Sequence, residues 1–211
     1  MPNPDMAMSV RVITRTNSVK VAETAFKLAE QRNKKVTVVH KKSVFKLGCG
    51  LFTESCRSVA EKFPNVEYRE AHVDSIAAEL VMYPEHFDVL VTTNMFGDIL
   101  SDLASGLVGG LGMAPGLSVG PKYVMAQATH GSAPDIAGKG IANPYALIMS
   151  GMMLFHWLGT KTNTSSLLHA SKYIEDAVHS TIKAKLVTPD LGGNYSTKQM
   201  AEAVMERLPT A

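Results

Sequence analysis

The chain has 211 residues, of which 45% are hydrophobic and 19% charged, and its formal net charge is +2. This composition excludes a disordered chain, and so small a net charge makes nucleic acid a poor default partner. Two cysteines are too few for a disulfide framework, and neither a secretory signal nor an unbroken apolar span is recognisable. We therefore expect an intracellular protein with reduced thiols.

Predicted strands and helices alternate along the first half of the chain. Apolar residues recur at helical spacing after Asn17, and a β-branched strand covers residues 36–39. The same patterns predict, in chain order, helix 51–63, strand 66–73, helix 75–82, strand 88–92 and helix 97–108. Such alternation is typical of an α/β protein.

A glycine-rich segment at residues 109–116 marks the best internal boundary. It predicts two domains, residues 1–108 and residues 109–211. The second domain is expected to contain a short strand near residues 123–125, an irregular loop over 129–142, and helices over about 144–158, 167–185 and 197–207.

Helix 97–108 carries two carboxylates in an otherwise apolar surface. Asp98 and Asp102 are four residues apart, so they share one face of the helix. The pair suits a hard divalent cation, but two solvated acids in a first turn are also favoured by the helix dipole. The apolar circumference predicts burial, in a chain this short against a partner. A third carboxylate, Asp74, is by itself typical of a helix cap.

Lys41 and Lys42 follow the strand 36–39, and ligands bind at strand ends in α/β sheets. A lysine there can hold a substrate carboxylate or, if burial lowers its pKa, transfer a proton. The residues alone fit an exposed lysine pair on a loop as well.

The polar loop at residues 130–139 contains glycines, which let backbone amides approach a ligand closely. Asp135 can accept hydrogen bonds from a ribose diol, as acidic residues do in other dinucleotide sites. The sequence has no G-x-G-x-x-G fingerprint, so the loop alone is a weak indication of a cofactor site.

Residues 93–103, the glycine segment after them and residues 130–144 together resemble the β-decarboxylating dehydrogenases. This family includes the isocitrate, homoisocitrate and 3-isopropylmalate dehydrogenases. The resemblance extends from about Ile13 to about Leu208 and covers roughly the second half of a typical member. Residues 104–112 are more similar to the first two enzymes. The implied structure is an isocitrate/isopropylmalate dehydrogenase-like α/β fold, present in part, with a helix-mediated dimer interface.

The resemblance implies a metal centre and two catalytic residues. Family members bind Mg²⁺ or Mn²⁺ through three aspartates, which match Asp74, Asp98 and Asp102. Lys41 matches the lysine that takes part in removing the hydroxyl proton, and Asp74 is the second catalytic residue implied. The metal acts as a Lewis acid on the ketone formed by oxidation and on the enolate left by loss of CO₂.

The resemblance also implies a site for NAD in the polar loop. NADP-using relatives carry a Lys-Tyr pair where this chain has Asp135 and Ile136, and a carboxylate there would repel a 2′-phosphate. The implied cofactor-binding residues are His130, Gly131, Ser132, Ala133, Asp135, Ile136 and Asn143.

The implied partners are a small hydroxy acid and a second polypeptide, either a copy of this chain or a full-length paralogue. Helices 75–83 and 97–108 match a four-helix dimer contact, across which Lys41 and Asp74 complete the partner's site. Neither nucleic acid nor membrane is expected, and family members occur in the cytoplasm and in the mitochondrial matrix.

The implied function is NAD-dependent oxidative decarboxylation of isocitrate or homoisocitrate. We expect the isolated chain to be incomplete, because no segment resembles the arginine-rich motif that anchors the substrate. Three departures from the family pattern, Ser43, Ser75 and Gln127, favour an alternative. In that alternative the chain is a non-catalytic regulatory or structural subunit.

Overall fold

A computed structural model describes residues 4–209 of the chain. The described part contains seven α-helices and five β-strands, joined by short 3₁₀ turns. In chain order these are α1 (Arg15–Glu30), β1 (Lys35–His40), α2 (Lys46–Ala60), β2 (Glu67–His72), α3 (Val73–Met82), β3 (Val89–Val91), α4 (Asn94–Leu107), β4 (Pro115–Val119), β5 (Val124–Ala128), α5 (Tyr145–Thr162), α6 (Ser165–Lys183) and α7 (Thr197–Met205).

The chain forms two compact units that divide between Leu100 and Ser101. The mixture of helices with a parallel sheet confirms the predicted α/β class. The domain limits predicted at the glycine-rich segment stay a prediction. Within residues 4–209, no helix is both long and apolar enough to cross a membrane.

The first unit is built on a three-stranded parallel sheet in the order β2-β1-β3. β1 is the central strand, and five of its six residues are buried. Its run of Val36, Thr37, Val38 and Val39 suits a strand that is covered on both faces. Because all three strands are parallel, the residues that follow them are brought to one edge of the sheet.

Helices α1 and α2 pack against this sheet and supply most of the first unit's core. Thr14 caps α1 by accepting a hydrogen bond from the backbone N–H of Asn17. Phe26 on α1 is fully buried, and its ring stacks on Phe63 at 5.4 Å and on Tyr68 at 6.4 Å. The aromatic cluster therefore joins α1 to the strand β2.

The second unit combines the antiparallel hairpin β4–β5 with helices α5, α6 and α7. Ser150 joins α5 to the hairpin, because its hydroxyl accepts from the backbone N–H of Gly116 at 3.0 Å. Helices α5 and α6 approach closely at Gly159, where an added Cβ would lie 2.8 Å from Leu168. A capping box between Ser196 and Gln199 begins α7.

Glycine explains two of the differences between the predicted and the observed elements. α2 begins at Lys46 rather than at residue 51, because Gly48 and Gly50 lie inside the helix instead of before it. β4 was not predicted, since the glycine-rich segment is typical of a turn. There Gly116 permits close strand pairing, because a Cβ at this position would lie 2.8 Å from the carbonyl oxygen of Gln127.

We predict that Phe26→Ala lowers the free energy of unfolding of the first unit by about 3–5 kcal/mol, because it leaves a cavity beneath two stacked rings. Val21→Ala on the exposed side of the same helix is the matched control, with an expected loss below about 1 kcal/mol. Urea unfolding followed by circular dichroism measures both. Equal losses in the two variants would contradict the placement of Phe26 in the core.

Candidate functional site

The carboxyl edge of the parallel sheet brings together residues that follow three different strands. Lys41 comes directly after β1, Asp74 lies in the first turn of α3 after β2, and Thr93 follows β3. The ammonium of Lys41 donates a hydrogen bond to Asp74 Oδ1 at 2.5 Å. The topology thus makes an ion pair from residues 33 positions apart in the chain.

The backbone of Lys41 is held on both sides. Its N–H donates to the sulfur of buried Cys49 at 3.4 Å, and its carbonyl accepts from the N–H of Phe45 at 2.9 Å. The hydrogen bond from the Lys41 ammonium, helped by a backbone N–H, holds the pKa of Asp74 below its ordinary value. Asp74 is therefore a carboxylate at neutral pH, and most of its side chain remains exposed.

A second group of interacting side chains is centred on Glu70. We call it the Glu70 cluster, and it consists of Glu70, Lys42, Arg57, Tyr68 and His40. Glu70 Oε1 accepts from Arg57 at 2.6 Å and from the Tyr68 hydroxyl at 2.5 Å. Its Oε2 accepts from the Lys42 ammonium at 2.7 Å and lies 3.7 Å from His40 Nε2. One carboxylate therefore connects β2, α2, the end of β1 and the turn after it.

The electrostatics of the Glu70 cluster follow from its partial burial. Burial by itself would raise the pKa of Glu70, but the hydrogen bonds from Lys42, Tyr68 and Arg57 outweigh it and lower that pKa to about 2. Burial and the nearby Glu70 carboxylate raise the pKa of the Cys56 thiol to about 12, so this cysteine is an inert core residue.

His40 is a neutral member of the Glu70 cluster. Burial, followed by the charges of Lys42 and His72, lowers its pKa. Its Nδ1 faces the backbone N–H of Lys42 at 3.2 Å, which assigns Nδ1 as the acceptor and puts the proton on Nε2. The contact with Glu70 is consequently polar rather than ionic at neutral pH.

Sequence reasoning missed the Glu70 cluster. The exposure of β2 alternates, so that Tyr68 and Glu70 share the less exposed side while Glu67 and Arg69 are exposed. The available signal was a glutamate on the less exposed side of a strand. Such a carboxylate needs cationic partners, so its position could have predicted a charged cluster. The cationic partners of Glu70 are Arg57 and Lys42, which lie 13 and 28 positions before it in the chain.

The three predicted metal ligands do not meet within one chain. Across residues 4–209, no group of three or more histidines, cysteines, aspartates or glutamates is placed to hold a metal ion. Asp98 and Asp102 lie one turn apart on α4, whereas Asp74 contacts Lys41. The shared metal centre stays a prediction, and the family resemblance takes its ligands from two protomers.

The position at which α4 begins shows that the helix dipole does not explain the acidic pair Asp98 and Asp102. The helix begins at Asn94 rather than at residue 97, so its first turn contains no acidic residue. Asp98 and Asp102 are therefore too far along the helix for the N-terminal dipole to account for them. Within the chain only one side of α4 is covered, and Ile99 is 56% exposed, so the predicted burial of this helix against a partner stays a prediction.

The hydroxyl of Thr93 adds a polar atom at the same edge of the sheet. Among the described residues, it is the single buried side-chain oxygen or nitrogen without a hydrogen-bond partner. A buried polar atom without a partner is costly unless a ligand or another chain supplies one. The edge that carries Lys41 and Asp74 thus also has an unused hydrogen-bonding group.

In the second unit, residues 130–142 form an open loop between β5 and α5. His130 and Asp135 are exposed, and a hydrogen bond from Ile136 N–H to Ala133 O forms a turn around Asp135. Ala133 has a φ of 43°, a left-handed conformation that non-glycine residues adopt at a cost and that recurs at functional loops. The predicted cofactor residues up to Ile136 therefore share one exposed loop.

Asn143 differs from the rest of the predicted cofactor set because it is buried. Its amide donates to Asp190 Oδ2 at 2.9 Å and its carbonyl oxygen accepts from the N–H of Tyr145 at 2.9 Å, next to the start of α5. The hydroxyl of Thr188 donates to the other oxygen of Asp190 at 2.5 Å. Sequence reasoning missed Asp190 and Thr188, for which the polar segment before Gly192 was the available signal.

We predict that Glu70→Gln lowers the free energy of unfolding by about 1–3 kcal/mol at pH 7, because the variant loses charge-assisted hydrogen bonds. The pKa of Glu70 is lower in the folded chain than its ordinary 4.5. Its contribution is therefore complete above pH 4.5 and is lost as the pH falls towards about 2.

Chemical unfolding of both proteins between pH 7 and pH 3 measures this difference. Glu54→Gln, which alters an exposed pair with Arg15, is the control and is expected to change stability by at most about 0.5 kcal/mol. A difference between Glu70→Gln and wild type that stays constant down to pH 3 would contradict an origin in the carboxylate charge.

Comparison with known proteins identifies the family to which these motifs belong. Residues 2–204 match the family described as isocitrate/isopropylmalate dehydrogenase. The chain is 47% identical over 205 residues to a 3-isopropylmalate dehydrogenase of Archaeoglobus fulgidus, covering 97% of this chain and 61% of the relative. It is 46% identical over 205 residues to an isocitrate/homoisocitrate dehydrogenase of Thermus thermophilus, covering 97% of this chain and 59% of the relative.

A regulatory protein also occurs among the relatives. The chain is 40% identical over 210 residues to a mitochondrial regulatory subunit of NAD isocitrate dehydrogenase from Dictyostelium discoideum, covering 98% of this chain and 57% of the relative. These identities do not separate the possible substrates. The chain spans about three fifths of the length of the curated relatives it matches.

Solved structures agree with the sequence comparisons. An isocitrate dehydrogenase from Methylococcus capsulatus superposes with a TM-score of 0.87 at 46% identity, covering 95% of this chain and 58% of that one. The family match covers nearly the whole chain, and the chain shares both sequence and fold with these relatives. It belongs to the isocitrate/isopropylmalate dehydrogenase family, whose members are β-decarboxylating dehydrogenases of hydroxy acids.

Proposed function

We propose that this chain supplies the lysine–aspartate half of an active site for NAD-dependent oxidative decarboxylation of a 2-hydroxy di- or tricarboxylic acid. Isocitrate and homoisocitrate are the proposed substrates. The observation that carries the proposal is the contact between the Lys41 ammonium and Asp74 at the carboxyl edge of the parallel sheet. Both residues match positions at which the family resemblance implies catalytic residues.

Lys41 is the proposed proton-transfer group. Hydrogen bonds on both sides fix the backbone of Lys41 at the sheet edge, and the ammonium of its side chain holds three protons. Asp74 accepts one of these protons in a hydrogen bond and so directs the ammonium. A substrate oxygen that enters beside this pair meets a positioned ammonium that can donate a proton. Lys41 can accept a hydroxyl proton only after one of its own three protons has passed to solvent.

The carboxylates of Asp74, Asp98 and Asp102 are the proposed ligands of Mg²⁺ or Mn²⁺. Carboxylate oxygens are the donors that such hard cations prefer, so the chemistry of the set fits the ion. When bound, the metal would supply Lewis-acid stabilisation of negative charge on the substrate. In the single chain, the Lys41 ammonium neutralises Asp74 instead.

NAD is the proposed cofactor and would supply the hydride acceptor. Its adenosine is assigned to the loop of His130, Gly131, Ser132, Ala133, Asp135 and Ile136, with Asn143 behind it. The exposed carboxylate of Asp135 supports this assignment, because it can accept hydrogen bonds from a ribose diol and disfavours a 2′-phosphate. The bonds from Asn143 to Asp190 and Tyr145 fix the base of the loop.

A second protomer is part of the proposal. Apolar side chains on α3 and α4 are exposed, among them Val81 and Met82 on α3 and Met95 and Ile99 on α4, each at 45–58%. Contiguous exposed apolar surface is typical of an interaction site. The regulatory relative supports assemblies of isocitrate dehydrogenase type. We propose that these two helices contact the same helices of a homologous protomer.

The second candidate function is that of a regulatory or structural subunit. It is favoured by the match to a regulatory protein and by Ser43, which stands two positions after Lys41 where the family resemblance expects asparagine. In this case the chain would act through the helix contact alone. Lys41 and Asp74 would then be dispensable for activity of the assembly.

We predict that this chain restores NADH formation to a full-length homologous subunit whose residue matching Lys41 is replaced by methionine. The physical reason is that Lys41 of this chain completes the site of its partner. With isocitrate or homoisocitrate as substrate, Lys41→Met in this chain should reduce the restored rate by at least about 100-fold, as expected for loss of a general acid–base group. Absorbance of NADH measures the rate.

Lys20→Met, an exposed substitution on α1, is the matched control and should restore the rate fully. Replacing NAD by NADP should remove most of the restored activity. Equal restoration by wild-type chain and by Lys41→Met would contradict the catalytic proposal and favour the regulatory one.

We predict that the assembled protein binds Mn²⁺ and that Asp98→Asn in this chain abolishes that binding, because an amide replaces a charged oxygen ligand. Isothermal calorimetry measures the binding. The control is Asp176→Asn on α6, whose carboxylate pairs with Lys172. Unchanged Mn²⁺ affinity in Asp98→Asn would remove Asp98 from the metal site.

A further inference from the structure

We propose that Glu70 is a positioning residue for Lys41: by binding Lys42, it holds the turn that directs the Lys41 ammonium to Asp74. This inference deepens the proposed function and rests on it for its catalytic meaning. The structural evidence for it comes from the Glu70 cluster, and no residue of that cluster takes part in the proposed chemistry.

The position of Lys41 in the chain is the first argument. Its two neighbours, His40 and Lys42, both lie against the same carboxylate, at 3.7 Å and 2.7 Å respectively. Lys41 itself pairs with a different carboxylate, Asp74. A single acidic group thus contacts the residue before and the residue after the proposed proton-transfer group.

The rigidity of Glu70 is the second argument. Its other oxygen is held by Arg57 from α2 and by Tyr68 from the same strand. Glu70 pairs in register with Val38 in the middle of β1, and its side chain is only 18% exposed. The carboxylate is therefore held by groups other than Lys42, and it acts as an anchor rather than as one half of a mobile surface pair.

The third argument concerns which carboxylate binds Lys42. Lys42 and Lys41 are adjacent cations, and both face carboxylates on β2 or just beyond it. If Glu70 were neutral, Lys42 would be free to compete with Lys41 for Asp74, the next carboxylate along. Glu70 therefore separates the two ammonium groups and reserves Asp74 for Lys41.

A competing explanation is that backbone contacts alone direct Lys41. Its N–H is bound by Cys49 and its carbonyl by the N–H of Phe45, and neither contact involves Glu70. In that case the Glu70 cluster would only strengthen the sheet, and loss of Glu70 would leave the Lys41–Asp74 pair intact. The two explanations differ in one measurable property, the accessibility of the Lys41 amine.

Trace acetylation of the full chain with acetic anhydride, quantified lysine by lysine with mass spectrometry, tests the proposal. The labelling of Lys41 is expressed relative to Lys198, whose side chain is 85% exposed and lies in the other unit. In Glu70→Gln and in Lys42→Met, Lys41 labelling should rise about two- to fivefold, the range set by weakening a partly exposed ion pair. Asp74→Asn, which removes the partner outright, gives the upper limit.

Glu79→Gln is the matched control, because it removes a partly buried carboxylate that binds Arg69 of the same strand at 2.8 Å and touches neither neighbour of Lys41. The proposal is overturned if Glu70→Gln accelerates labelling of Lys42 but not of Lys41. It is also overturned if Glu79→Gln raises Lys41 labelling equally. Should Glu70→Gln not fold, Lys42→Met decides alone, since it leaves Glu70, Arg57 and Tyr68 in place.

Activity in the complementation assay with the full-length homologue gives an independent readout. If Glu70 and Lys42 position Lys41, Lys42→Met should lower kcat with KM unchanged, whereas a purely structural role changes only thermal stability. If wild-type chain restores no activity at all, the proposed function fails, but the labelling result still decides whether Glu70 directs Lys41.

Discussion

The ion pair between Lys41 and Asp74 is the interaction on which the candidate site depends, and parallel strand pairing makes it possible. Lys41 leaves β1 and Asp74 follows β2, and these strands align His40 directly opposite His72. An antiparallel arrangement would send the two residues to opposite edges. The fold therefore decides the chemistry here, because it places an amine and a carboxylate from distant parts of the sequence within one hydrogen bond.

Charge compensation explains how several ionisable side chains can crowd one end of this sheet. Lys41 and Lys42 are each matched by a separate carboxylate, and His40 stays neutral because burial lowers its pKa. An unmatched cation at this depth would incur a desolvation cost that the nearby backbone cannot offset. The arrangement leaves Asp74 as the exposed acid and Glu70 as the enclosed one, so that Asp74 is open to solvent while Glu70 is surrounded by its hydrogen-bond donors.

The sequence predicts this structure well where a signal is local and poorly where it is not. The apolar run of β1 identifies a buried central strand, and helical spacing identifies α6. Glycine misled the prediction at α2 and β4, because its missing side chain serves a helix interior in one case and close strand pairing in the other. The bonds from Glu70 to Lys42 and from Asn143 to Asp190 join residues 28 and 47 positions apart, and no periodicity encodes such contacts.

Two independent features of the described residues support the proposal of a second chain. The metal ligands that the motifs predict do not converge within the described residues, and apolar side chains such as Ile99 remain exposed on the helix that carries Asp98. Burial of exposed apolar surface is the main favourable contribution to association. The face that would drive pairing thus lies on the same helix as a proposed metal ligand. Association can therefore both cover the apolar side chains and bring carboxylates of two chains to one place.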